Sequence, residues 1–111
     1  MERIIWLMEL KEDEIENYIK IHKKENVWPE IIQVNKKAGV IKEEIAIFKN
    51  LVFIYLEVED KKKMLEVFES DEGLKRWNAI TLAMTKSVPE LNESMKELPL
   101  IFSYENGKLM H

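Results

Sequence analysis

His22 is the only histidine of this 111-residue chain apart from the terminal His111, and cysteine is absent. Its imidazole, with an ordinary pKa of about 6.5, is therefore the one interior side chain able to give and take a proton near neutral pH. If residues 11–24 are helical, Ile15, Tyr18, Ile19 and His22 fall at i, i+3, i+4 and i+7 on the face turned to the core. Glu12, Glu14, Glu16, Lys20, Lys23 and Lys24 then fall on the solvated side. A phenol and an imidazole one turn apart can hold a hydroxylated molecule and move its protons by general acid–base catalysis. The plainer reading is a hydrogen-bonded packing histidine, and position alone does not separate the two.

Trp77 is the next candidate, because an indole can offer a flat apolar face to a bound molecule; a core tryptophan is the competing reading. Glu30 and Glu57 are the carboxylates considered for a second proton transfer, although Pro29-Glu30 is also what a helix start favours. Asn35, on the second helix's apolar stripe, is left unassigned.

Without cysteine there are no disulfides, thiolate nucleophiles or thiolate metal sites, and carboxylates would have to supply nearly every ligand of a metal. No transition-metal site is expected. The net charge of −4, with Lys61-Lys62-Lys63 as the longest basic run, gives no general attraction to phosphate backbones. The apolar run at Met1–Glu9 is too short for a signal peptide or a membrane span. Neither a nucleic acid nor a membrane is an expected partner, and the cytoplasm is the expected compartment.

These residues need a frame. A chain with 46% apolar and 34% charged residues fits one soluble domain over residues 1–111, with 105–111 expected as a loose tail. Arg3–Glu9 reads as strand and residues 11–24 as helix, stopping around Glu25-Asn26. Pro29 suits the first position of a second helix that runs to Ala38 and stops at Gly39. Val40–Phe48 and Leu51–Glu59, separated only by Lys49-Asn50, predict a tight hairpin. Lys61–Glu69 predicts a helix, Ser70–Gly73 a break, and a further helix begins near Leu74, turns Trp77 inward and fades at Ser87-Val88-Pro89. Residues 88–97 read as loop or short helix, and Leu98–Tyr104 as a last strand that Pro99 places at an edge or start.

The order of strand, helices, two strands, helices and strand is the split βαβ, ferredoxin-like α+β pattern, an antiparallel sheet with helices on one side. Leu51, Phe53 and Tyr55 alternate with Val52, Ile54, Leu56 and Val58, and Ile5 and Leu7 oppose Ile4, Trp6 and Met8. Both sheet faces are thus apolar, while helices can cover one. The other predicts a homodimer joined through the helix-free face.

From Tyr18 to Trp77 the chain resembles the L-rhamnose mutarotases. The resemblance rests on Tyr18-x-x-x-His22, Trp28-Pro29-Glu30, Lys37-Ala38-Gly39, Ile47-Phe48, Asn50-Leu51-Val52-Phe53, Leu56-Glu57-Val58-Glu59 and Arg76-Trp77, in that order and spacing. It implies a small cytoplasmic homodimer with a dimeric α+β barrel that interconverts the α and β anomers of L-rhamnose. It also implies that His22 is a proton donor and that Tyr18 and Trp77 bind sugar. Two positions depart from the family: Asn78 stands where a second tryptophan is usual, and Ile45 where a sugar-contacting tyrosine is usual. Losing a hydroxyl and an aromatic wall should change which sugar fits, or whether any does. Opening and closing a hemiacetal ring needs two proton transfers and no cofactor. The expected function is therefore a sugar mutarotase for L-rhamnose or a related aldose, with Asn78 added to the sugar-binding set. The alternative is a non-catalytic dimeric module that binds a small metabolite in a degenerate pocket.

Overall fold

Alternating apolar side chains make β1 (Glu2–Glu9) and β3 (Leu51–Val58) the centre of a four-stranded sheet in the computed structural model, which describes residues 1–86 and 95–109. The strand order is β2-β3-β1-β4, with β2 (Val40–Phe48) and β4 (Lys96–Leu98) at the edges and every pairing antiparallel. This is the ferredoxin-like α+β order that the sequence predicts.

The register pairs Ile4 with Leu56, Trp6 with Ile54 and Met8 with Val52. Most of these side chains join Tyr18, Ala38, Met64 and Met84 in the buried core beneath the helices. Ile5 pairs with Tyr55 and Leu7 with Phe53, on the opposite face, where all four remain half-buried.

The helices on the covered side are α1 (Ile15–Ile21), α2 (Pro29–Lys37), α3 (Lys61–Ser70) and α4 (Glu72–Ala83). The single helix expected over 11–24 is shorter at both ends: Glu12–Glu14 form a 3₁₀ turn, and α1 stops at Ile21. The early stop follows from a tightened turn, in which the amides of His22 and Lys23 bond back three residues and Asn26 Nδ2 donates to the Lys20 carbonyl at 2.8 Å. Pro29 does open α2, and Gly39, at a φ of 76° that a side chain would resist, closes it.

α4 begins two residues before Leu74, because Asp71 caps it by accepting the Leu74 amide at 2.9 Å. Gly73 is consequently helical, and it lets α4 close onto the start of α2: a Cβ at this position would lie 2.9 Å from Glu30 Cβ. An ordinary Gly→Ala change inside a helix stabilises by up to about 1 kcal/mol. Gly73→Ala is expected to do the reverse, costing about 1–3 kcal/mol as the two helices are forced apart, and urea unfolding will read the sign.

The last strand is displaced from the expected Leu98–Tyr104. Lys96–Leu98 pairs with Ile5–Leu7 of β1 and stops where Pro99 supplies no N–H for the ladder. Lys96 and Glu97 are therefore strand where loop or short helix was expected; residues 88–94 of that expectation lie outside the described residues. Of the tail expected to be loose, residues 110–111 lie outside the described residues and 105–109 belong to a small hairpin, β5 (Tyr104–Glu105) with β6 (Lys108–Leu109). Its turn residues Asn106 and Gly107 take φ of 50° and 84°, the left-handed pair that suits a two-residue hairpin turn.

Candidate active site

The short α1 determines what His22 can do. In a continuing helix the amide of residue 22 would bond to the carbonyl of Tyr18; here it turns to the Ile19 carbonyl at 3.2 Å. The Tyr18 carbonyl then takes the ring of His22, whose Nδ1 lies 2.7 Å away. A carbonyl only accepts, so Nδ1 carries the hydrogen and donates it. In the neutral imidazole the other ring nitrogen, Nε2, is left with a free lone pair.

Both rings look into a cleft of about 940 Å³ between the helices and the exposed edge strand β2, a volume in the range of small-molecule sites. The two ring centroids are 4.3 Å apart. Trp77, on α4, meets His22 edge-on at 5.4 Å and forms another wall of the cleft. Trp28, the residue before α2, braces Trp77 from behind with an edge contact at 5.2 Å. That explains the tryptophan of Trp28-Pro29-Glu30 without giving it a place in the cleft. Asn78 and Ile45 also line the cleft, so both departures from the family pattern fall in its wall. A smaller hollow of about 330 Å³ is lined by Tyr18 and His22 together with Ile45, Ala46 and Ile47.

The structure thus brings His22, Tyr18, Trp77 and Asn78 together around one space. It does not bring the two carboxylates considered with them. Glu30 sits outside the cleft, 3.9 Å from Arg76 and against Gly73. Glu57 points to the helix-free face, where it accepts the Tyr55 hydroxyl at 2.7 Å.

A different carboxylate lines the cleft. Glu43 of β2 pairs with Leu56 in register, so it shares the helix-covered side with Ile45 and Ile47. Asn35 of α2 reaches across and donates to it from Nδ2 at 3.1 Å. The signal was present in the sequence: a two-residue turn at Lys49-Asn50 fixes the hairpin register, and that register puts Glu43 in phase with the inward residues of β3.

The surroundings shift these groups in different directions. Burial lowers the His22 pKa below the usual imidazole value, against the opposing pull of the Tyr18 carbonyl. Burial raises the Tyr18 phenol well above its ordinary range, and the nearby Glu43 charge adds to this, so Tyr18 stays protonated. Glu43 as a whole residue is exposed on the edge strand, yet the protein packed around it pushes its pKa up, with the Asn35 hydrogen bond opposing. At neutral pH the site therefore offers a neutral imidazole, a phenol and a carboxyl group that is easier to protonate than usual.

The family model for L-rhamnose mutarotase matches residues 3–104. No curated protein matches the chain in sequence. Among solved structures, the chain is similar to an L-rhamnose mutarotase from Formosa agariphila, at 24% identity and a TM-score of 0.74, over 95% of this chain and 100% of that one. It is also similar to the tetracenomycin F2 cyclase of Streptomyces glaucescens, at 13% identity and a TM-score of 0.66, over 95% and 98% of the two chains. A putative antibiotic biosynthesis monooxygenase from Nitrosomonas europaea follows at 14% identity and a TM-score of 0.62, over 88% and 94%. At such identities these likenesses concern the fold alone.

Proposed function

The chain belongs to the L-rhamnose mutarotase family, and on that premise we propose that it interconverts the α and β anomers of L-rhamnose or a related aldose in the cytoplasm. The observation that carries the reading is the fixed imidazole: Nδ1 is tied to the Tyr18 carbonyl at 2.7 Å while the ring borders a cleft large enough for a sugar.

Ring opening removes the proton of the anomeric hydroxyl and protonates the ring oxygen. The neutral His22 takes the first proton on Nε2, and it returns a proton to the anomeric oxygen when the ring closes. The resemblance casts this histidine as a donor; its tautomer supports acceptance on opening and donation on closure, as reversibility requires. Tyr18 keeps its phenolic hydrogen and donates to a sugar oxygen. Trp77 presents its indole to the apolar face of the pyranose, and Asn78 offers an amide where an indole is usual.

Saturation-transfer NMR on equilibrated L-rhamnose, L-fucose, L-lyxose and D-ribose tests the proposal. Exchange between anomers well above the buffer rate is expected for at least one sugar, and exchange at the buffer rate with folded protein would end the catalytic reading. A non-catalytic module is the second reading, supported by the position of Asn78 and Ile45 in the cleft wall. It gains if a sugar binds without accelerated exchange.

We also propose that two copies associate through the helix-free sheet face, where Ile5, Leu7, Phe53 and Tyr55 stand half-buried in a single chain. Sedimentation should show a dimer for the unaltered protein and a monomer for Phe53→Lys. A dimer that survives this change would place the interface elsewhere.

A further inference from the structure

We propose that Glu43, held by Asn35, is the second proton-transfer group of the ring-opening reaction and works opposite His22. The inference rests on the mutarotase reading and names what that reading leaves open. Opening a hemiacetal moves two protons at two oxygens, and one imidazole serves one of them.

The other titratable groups on the cleft wall are poorly suited. Tyr18 is held too firmly in its protonated form to cycle. Lys36, Lys42 and Lys75 are exposed ammonium groups, and Lys42 and Lys75 lie within ion-pair distance of Glu44 and Glu72 at 3.9 and 3.5 Å. Glu69, near the end of α3, is as exposed as Glu43 but has no side-chain hydrogen-bond partner among the described residues to orient it. Glu43 differs in three respects. It comes from β2, and its charge is felt at the Tyr18 phenol, whose ring lies 4.3 Å from that of His22. A neutral amide orients it, at 3.1 Å, and no lysine or arginine among the described residues forms an ion pair with it. Its raised pKa brings it closer to that of His22, as a pair exchanging one proton each requires.

The protons balance. In the active state Glu43 is protonated and His22 neutral. His22 Nε2 takes the proton of the anomeric hydroxyl while the Glu43 carboxyl gives its proton to the ring oxygen. The bond between C1 and the ring oxygen breaks, and C1 becomes the aldehyde carbon. After rotation about C1–C2, the freed hydroxyl attacks the other face of the carbonyl and returns its proton to Glu43. His22 returns its proton to the anomeric oxygen. No electrons are exchanged with any other species, and the protein regains its starting state.

Anomer exchange on L-rhamnose, or on whichever sugar of the panel responds, should be measured by saturation transfer for the unaltered protein, Glu43→Gln, Glu43→Asp, Asn35→Leu and the control Glu30→Gln. Glu43→Gln is expected to lower the maximal rate at least about 10²-fold while sugar affinity by calorimetry changes little. Glu43→Asp should recover part of the rate, and Glu30→Gln should match the unaltered protein. Asn35→Leu removes the bond that favours ionised Glu43, so the pH–rate profile should move to higher pH. This arm is the readout if Glu43→Gln fails to fold. A Glu43→Gln rate within about twofold of the unaltered protein, or an unmoved profile in Asn35→Leu, overturns the role of Glu43 while leaving the mutarotase reading intact. No exchange in the unaltered protein on any sugar overturns both.

Discussion

His22→Ala is expected to lower the anomer-exchange rate by about 10²–10⁴-fold, the usual worth of a positioned acid–base group, while the protein stays folded. The fold should survive because the ring is only half-buried and its contacts with Tyr18 and Trp77 are edge and tilted stacks, worth about 0.5–1.5 kcal/mol each. The same residue sets the direction of one limb of the pH profile. Neutral His22 is the accepting form, and burial holds its pKa below 6.5. Exchange should therefore fall as pH drops through that lowered value. Stability should move the same way: the contribution of His22 is complete above its unfolded pKa of about 6.5 and is lost as pH falls through the folded value. Exchange that persists in His22→Ala would make the ring a packing residue.

Trp77→Ala is expected to have the largest effect on stability. Trp77 is 7% exposed and packs with Val34 and Leu74 against Trp28, so truncation should cost about 3–5 kcal/mol. That is a large share of the roughly 5–15 kcal/mol available to a domain of this size. It should also weaken sugar binding, since the cleft loses a wall. Trp77→Phe separates the two effects: it keeps a ring between Trp28 and His22 and should restore most of the stability. Thermal unfolding alongside a calorimetric affinity reads both quantities. Equal losses in Trp77→Phe and Trp77→Ala would mean that the indole is needed as such.

The sheet was legible in the sequence because alternation leaves little choice. Val52, Ile54, Leu56 and Val58 can share only one face, and the pairing with Ile4 and Met8 follows. The helix bounds were harder, because local capping decides them. Nothing in the 3.6-residue periodicity of residues 11–24 shows that Asn26 will bond to the Lys20 carbonyl and end α1 at Ile21. That ending frees the Tyr18 carbonyl for His22, so the tautomer was out of reach even though Tyr18 and His22 were singled out. The last strand ends at the start of the apolar run Leu98–Tyr104 instead of spanning it, because Pro99 has no amide to donate and ends the ladder at Leu98. Glu43 is hidden from a local reading for a related reason. Two consecutive glutamates on an exposed edge strand read as solvent-facing, and only the strand register turns one of them toward α1 and α2.

Catalysis at this site requires a bare Nε2 at position 22 facing a sugar-sized space, and long-range proton–nitrogen NMR of the imidazole tests this directly, with His111 assigned by its removal. The expected result is a neutral ring protonated on Nδ1, titrating below 6.5, whose Nε2 signal shifts when the active sugar is added. A ring protonated on Nε2, or an Nε2 signal indifferent to every sugar of the panel, would contradict it.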